Sequence, residues 1–144
     1  MSVDRSFISL NKEATRKITS LISGLDTKQM ATPVGQHWTI STALVHLAFW
    51  DRRVLNLVET IKQGLEMPPS DIEVVNDISL PLWLAVPPQD AVRLFIQSAE
   101  TLDRELENLD PQKLETLNNI EPRWVNRWMH RNDHIQDIEN ALHA

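Results

Sequence analysis

The chain has 144 residues, with 14 Lys or Arg against 20 Asp or Glu, which gives a formal net charge of −6 at pH 7. This length is typical of one domain, and the acidic balance excludes the basic surface that nucleic acid binding requires. The chain has no cysteine and only 3 separated glycines, which excludes disulfides, sulfur-ligated metals and glycine-rich nucleotide loops.

A first helix is predicted over residues 4–24, where apolar side chains recur at spacings of three and four. Asp4 or Ser6 can cap its start, and Gly24 stands where a left-handed stop is expected. The apolar stripe consists of Phe7, Leu10, Ala14, Ile18 and Leu21.

A loop over residues 26–38 leads to a second predicted helix, which Thr39 or Ser41 can cap and which runs to about Gly64. Asp51 interrupts its apolar stripe. The stripe consists of Ile40, Leu44, Leu47, Val54, Val58, Ile61 and Leu65.

Residues 65–88 contain five of the 8 prolines, so no long regular helix is expected there. The piece DIEVVNDISLPLW over 71–83 is compatible with a short helix or with a strand. A connection this long in a compact domain is often functional.

A third helix is predicted to carry Pro88 in its first turn and to end before Pro111. A fourth is predicted from about Pro122 to about Leu142. The third stripe consists of Ala91, Phe95, Ser98, Leu102, Leu106 and Leu109, and the fourth of Trp124, Trp128, Ile135, Ile138 and Leu142. Trp124 and Trp128, with Trp50, are therefore expected to be largely buried, whereas Trp38 is a candidate wall of a pocket.

Four amphipathic helices, each with one apolar stripe, bury those stripes best against one another. The sequence therefore predicts an all-α four-helix bundle that forms a single domain over residues 1–144. The connections at 26–38 and 65–88 are longer than simple up-and-down neighbours need, so crossover connections are compatible with the sequence.

Three histidines lie beside these stripes. A helix turns about 100° per residue, which places His46 roughly 120° from its stripe, and His130 and His134 roughly 120° and 80° to the same side of theirs. Two histidines at i, i+4 can both reach one metal ion, and a third from a facing helix completes three nitrogen ligands with a position left for water or substrate. His37, in the loop, and His143, at the end of the last helix, do not share this placement and are interpreted as surface residues.

Asp51 needs a partner because it lies in an apolar stripe. One interpretation is an outer acceptor that orients a histidine ring; the favoured one is a salt bridge. The candidate partners are Arg5, Arg16, Arg127 and Arg131. Asp137, three residues after His134, is interpreted as a solvated charge rather than as an outer acceptor.

Two segments, WTISTALVHLAFWD at 38–51 and MHRNDHIQDIENAL at 129–142, resemble the DinB-like superfamily of four-helix bundles. That superfamily includes the YfiT-like proteins, the ClbS/DfsB-type proteins and the thiol-dependent maleylpyruvate isomerases. Its pattern is matched by Trp38, His46, Leu47, Trp50, Asp51, His130, His134, Ile135 and Ile138. The order and separation of the segments extend the resemblance over essentially the whole chain.

The resemblance implies a divalent metal, such as zinc, nickel or iron, held by His46, His130 and His134, and often a homodimer. It implies no DNA binding. The expected function is that of a metal-dependent enzyme acting on a small molecule, either as a transferase that uses a low-molecular-weight thiol or as a hydrolase. The alternatives are a non-catalytic bundle that sequesters a small molecule and a bundle with a vestigial metal site.

The N-terminus, MSVDRSFISL, has no apolar run of signal-peptide length, and no stretch approaches the roughly 20 apolar residues of a membrane span. We therefore expect a cytoplasmic protein that contacts neither membrane nor nucleic acid.

Overall fold

The computed structural model describes residues 3–69 and 71–144, and over these residues it contains eight helices and one small hairpin. The helices are α1 (Ser6–Ile22), α2 (Thr27–Met30), α3 (Ile40–Lys62), α4 (Ile72–Leu84), α5 (Pro88–Asn108), α6 (Pro111–Ile120), α7 (Pro122–Val125) and α8 (Arg127–Leu142). The strands β1 (Pro33–Val34) and β2 (Trp38–Thr39) pair antiparallel. The predicted all-α class is confirmed. None of the described helices is long and apolar enough to cross a membrane.

The four long helices α1, α3, α5 and α8 form the bundle. Both α1 and α3 pack against α5 and α8, so α1 lies diagonally opposite α3. The connections 23–39 and 109–126 therefore cross the bundle, whereas 63–87 joins the neighbours α3 and α5. Of the two long connections noted in the sequence, only the first is a diagonal crossover.

The helix ends follow local side-chain chemistry. Thr39 caps α3 as predicted, since its hydroxyl accepts a hydrogen bond from the Thr42 N–H at 3.1 Å. The expected left-handed stop at Gly24 is wrong, because the Leu25 N–H bonds back to the Ile22 carbonyl and closes the turn with Ser23 in the right-handed region. Among the described glycines, Gly35 and Gly64 have positive φ.

Over the described residues, four further helices, α2, α4, α6 and α7, lie in the connections. The undecided piece 71–83 is helical, and the Asp71 carboxylate caps it by accepting from the Val74 N–H. Asp110 caps α6 in the same way through the N–H groups of Gln112 and Lys113. The predicted fourth helix is divided at Asn126 into α7 and α8, so Trp124 and Trp128 do not share one helical stripe.

The core consists of two apolar clusters with a buried polar layer between them. Along α3, Leu47 belongs to one cluster and Val54 to the other, and the fully buried Asp51 lies between them. The other buried members of the layer are Asn11, Thr15, Asp103, Arg127 and Arg131. The inward face of α8 therefore begins with two arginines rather than with the predicted tryptophans.

Candidate metal centre

The structure brings the three predicted histidines together. His46 projects from α3, and His130 and His134 lie one turn apart on the neighbouring α8. The Nε2 atoms of His46 and His130 are 3.1 Å apart, and one ring nitrogen from each of the three lies within 4.8 Å of the others. In the sequence, the three histidines stand at the edges of two apolar stripes. These positions alone predicted that the side chains converge.

The donor set fits a divalent metal ion. With Zn–N bonds of about 2.0–2.1 Å, two ligands of a tetrahedral ion lie about 3.3 Å apart, close to the separation of the two Nε2 atoms. Burial lowers the pKa of His46 to about 3 and also lowers the pKa of His130 and of His134. The rings are therefore neutral at pH 7, the form that ligates metals. That these three residues hold an ion stays a prediction.

Two tryptophan rings wall the histidines. The hairpin places Trp38 just before the α3 cap, where its ring lies 4.5 Å from that of His46 and stacks on that of His134 at 5.9 Å. Trp83 of α4 makes an edge contact with His46 at 5.2 Å. Trp38 thus packs on the histidines, but it is not among the residues that line the cavity beside them, so its interpretation as a pocket wall stays a prediction. The role of Trp83 was missed, because the sequence did not decide the structure of its segment.

The tryptophans that were predicted to be largely buried are buried only in part. Trp50, Trp124 and Trp128 are half-buried, and only Trp83, at 4% exposure, is a core residue. The break at Asn126 explains part of this difference, since it changes the helical phase between Trp124 and α8.

Arg127 links the histidines to the buried polar layer. Its Nε donates to Asp51 Oδ1 at 2.9 Å, and its Nη2 lies 3.1 Å from His130 Nδ1. Because a guanidinium can only donate, His130 Nδ1 is the acceptor and the proton of the neutral ring resides on Nε2, facing His46. With its proton on Nε2 this nitrogen cannot ligate an ion, so His130 binds metal through Nε2 only when the proton lies on Nδ1 and the contact with Arg127 is open. No pattern in the sequence predicts this contact.

Asp51 forms the predicted salt bridge, with two of its four candidate partners. Arg127 and Arg131 each bond one of its carboxylate oxygens, at 2.9 and 3.1 Å. Arg131 also donates to Asp103 at 2.8 Å, and Asp103 accepts from the Thr15 hydroxyl at 2.9 Å. The carboxylate of Asp51 does not bond a histidine directly and acts on His130 through Arg127.

The remaining acidic and histidine candidates lie at the edge of the site or outside it. Asp137 Oδ2 is 3.6 Å from His134 Nδ1, beyond hydrogen-bond distance, and the Asp137 side chain is 50% exposed. Its charge nevertheless opposes the fall in the pKa of His134. His37 and His143 are exposed and do not belong to the cluster.

A cavity of about 770 Å³ opens beside His46 and His130. Its wall includes one face of α3, the segment 65–69, the first residue of α4, and parts of α6 and α7. Helical periodicity could not predict it, since half of the wall comes from the connections.

The comparisons with known proteins place these observations in a family. The family model of the mycothiol maleylpyruvate isomerase N-terminal domain matches residues 12–134. This range includes His46 and His130 and ends at His134. Neither a curated protein nor a solved structure matches the chain.

Proposed function

The chain belongs to the mycothiol maleylpyruvate isomerase N-terminal domain family of the DinB-like superfamily, and on this premise we propose that it is a metal-dependent enzyme. It holds a divalent ion with His46, His130 and His134 and transfers a low-molecular-weight thiol to an electrophilic small molecule. The observation that carries the proposal is the convergence of three neutral imidazoles beside a cavity.

Three imidazole ligands leave one or more positions for an exogenous ligand, which is typical of catalytic rather than structural sites. When bound, the ion supplies Lewis acidity that lowers the pKa of a thiol or of water. Imidazole suits zinc, nickel and iron alike, so the donor set does not select among them.

The chain's own residues hold and shield the site. The chain has no cysteine, so the thiol must come from a small molecule. Trp38 and Trp83 cover the histidine rings on one side and limit the access of water, and Arg127 contacts His130 at Nδ1. The cavity beside His46 and His130 gives the substrate its route to the site.

The proposal extends to the form of the protein in solution. The superfamily resemblance favours one domain over residues 1–144 and a homodimer. Sedimentation equilibrium over a range of protein concentrations tests the second point, since a monomer at all concentrations contradicts it.

The test of the proposed function is metal analysis combined with thiol turnover. Protein purified without added metal should contain about one ion per chain, and His130→Ala should contain almost none. His37→Ala is the matched control, because it removes an exposed histidine outside the cluster and should retain the ion. Metal-free wild type, or equal metal content in wild type and His130→Ala, contradicts the site.

Turnover is measured as loss of free thiol when mycothiol or another small thiol is supplied with electrophilic substrates. Loss that depends on both the ion and His130 supports a transferase. Hydrolysis without thiol consumption points to the hydrolase instead. Bound metal with neither reaction favours a bundle that sequesters its ligand.

A further inference from the structure

The cavity beside the histidines is elongated along α3. Its wall on that helix includes His46, Trp50, Val54, Leu57 and Ile61, which recur at spacings of three and four and therefore share one face. Since a helix rises about 1.5 Å per residue, the 15 steps from His46 to Ile61 correspond to about 22 Å. The space begins at the candidate metal centre and continues for about four helical turns.

The lining of this space includes three unusually exposed apolar residues. These are Leu65, Ile72 and Ile120, with 60%, 59% and 53% of their surfaces accessible. Large exposed apolar side chains on the lining of a cavity are typical of a surface that a ligand covers. The body of that ligand is therefore expected to be apolar.

Arg53 provides a cationic group on the same wall. It lies on α3 between Trp50 and Leu57, it is half-buried, and its guanidinium donates to Asn56 Oδ1 at 2.9 Å and to the Pro68 carbonyl at 3.2 Å. Both acceptors are neutral, and no carboxylate of the described residues forms an ion pair with Arg53.

The other charged groups on the wall differ from Arg53. Arg127 is paired with Asp51, and Arg123 is paired with Asp133 at 2.7 Å. Glu121 accepts from the Arg123 backbone N–H at the start of α7, and Glu66 is exposed. Arg53 is thus the half-buried cation of the cavity whose charge lacks an anion among the described residues.

We propose that this cavity binds an elongated amphiphile, with an alkyl or aryl body against Leu57, Ile61 and Ile72 and a carboxylate or similar anion on Arg53. The inference rests on the proposed function only in that the reactive end of the ligand then lies at the histidines. Binding itself requires no metal, so it can be measured on chelated protein.

The test compares two probes of equal chain length, decanoate and decanol, on metal-free protein. Trp50 and Trp124 line the cavity, so intrinsic fluorescence should report binding of both. Wild type should bind decanoate more tightly than decanol. Arg53→Gln should weaken decanoate binding about 10- to 100-fold, the range expected for loss of a charge-assisted hydrogen bond, and change decanol binding less than about twofold.

Two control pairs make the result specific. Arg52→Gln removes a neighbouring exposed arginine that does not line the cavity, and it should leave both affinities unchanged. Ile61→Glu should weaken both probes, whereas Ile78→Glu, at a 69% exposed position away from the cavity, should not.

The inference is overturned if neither probe binds. It is also overturned if Arg53→Gln and Arg52→Gln weaken decanoate binding equally. Equal affinity of the two probes for wild type also overturns it, because the anion site would then contribute nothing. Decanoate binding by a protein that already contains no ion when it is purified without chelator overturns the proposed function alone. Metal binding without probe binding overturns only the amphiphile site.

Discussion

The Nη2 atom of Arg127 lies 3.1 Å from Nδ1 of His130, on the ring nitrogen that does not face His46. A permanent cation therefore lies at the nitrogen through which many metal-ligating histidines donate to a carboxylate or a carbonyl, so ligation through His130 Nε2 requires Arg127 to move away from Nδ1. Arg127 is itself held by Asp51, so the position of the histidine depends on a buried ion pair in the middle of the bundle.

Asp51→Asn should lower the free energy of unfolding by about 3–5 kcal/mol, because it leaves Arg127 and Arg131 without their shared buried carboxylate. Urea denaturation followed by circular dichroism measures the change. The matched control is Asp133→Asn, which breaks an arginine–aspartate pair whose aspartate is 66% exposed and should cost about 0–1 kcal/mol. Equal costs for the two variants contradict a structural role of the buried layer.

The pH dependence of stability should reveal the buried histidines. The pKa of His46 is lowered from 6.5 to about 3, chiefly by burial, so between these values the unfolded chain binds a proton that the folded chain does not. Stability should therefore fall as the pH is lowered through this window, by about 1.4 kcal/mol per pH unit for this group.

The measurement is the free energy of unfolding of chelated wild type and of His46→Gln at several pH values. The difference between the two proteins should change by about 1.4 kcal/mol per unit between about pH 6 and pH 4. His143→Gln, which changes an exposed histidine, should follow wild type. Parallel curves for wild type and His46→Gln contradict the burial of a neutral ring.

The sequence predicted the helices of the bundle and the three histidines because both depend on local periodicity. The cap at Thr39 could be predicted because a hydroxyl residue stands just before the apolar stripe of α3. The positions of His46 and His130 beside their stripes could be predicted from helical spacing. The arginines that form ion pairs with Asp51 could not be predicted in this way, because their positions depend on the rotation of α8 against α3. The start of α8 after the break at Asn126 was not predicted either, because the four-residue spacing of Trp124 and Trp128 is typical of one continuous helix.

The cavity and the contact of Trp83 with the histidines could not be predicted from the sequence either. They depend on where the connections 63–87 and 109–126 lie, and proline content shows only that a long helix is absent there. The position of Trp38 beside the histidines could be predicted, because this residue directly precedes a recognisable helix cap.

Trp83→Ala should be the most destabilising of the tryptophan truncations, at about 3–5 kcal/mol, since it removes a side chain that is 4% exposed and packs on Phe49 and His46. Trp128→Ala is the control, because that ring is half-buried and its Nε1–H donates only to the nearby Asn126. Urea denaturation of the two variants measures both costs. A larger cost at Trp128 contradicts the placement of α4 against the core.

Removal of the metal should lower stability without unfolding the bundle. The two apolar clusters and the buried ion pairs consist of side chains other than the three histidines, so the helical circular dichroism at room temperature should survive chelation. An ion present at about 100 times its dissociation constant adds about 2.7 kcal/mol, which corresponds to a fall of about 5–15 °C in Tm on stripping for a chain of this size.

The thermal melts are recorded before and after chelation on wild type, His130→Ala and His37→Ala. His130→Ala should melt like stripped wild type and respond little to chelator, whereas His37→Ala should behave like untreated wild type. Loss of the helical signal at room temperature shows that the ion is structural, because the fold then depends on it. An unchanged Tm in a sample that contains metal shows that the ion lies elsewhere or binds weakly, since an ion held by three ligands on two packed helices must stabilise their contact.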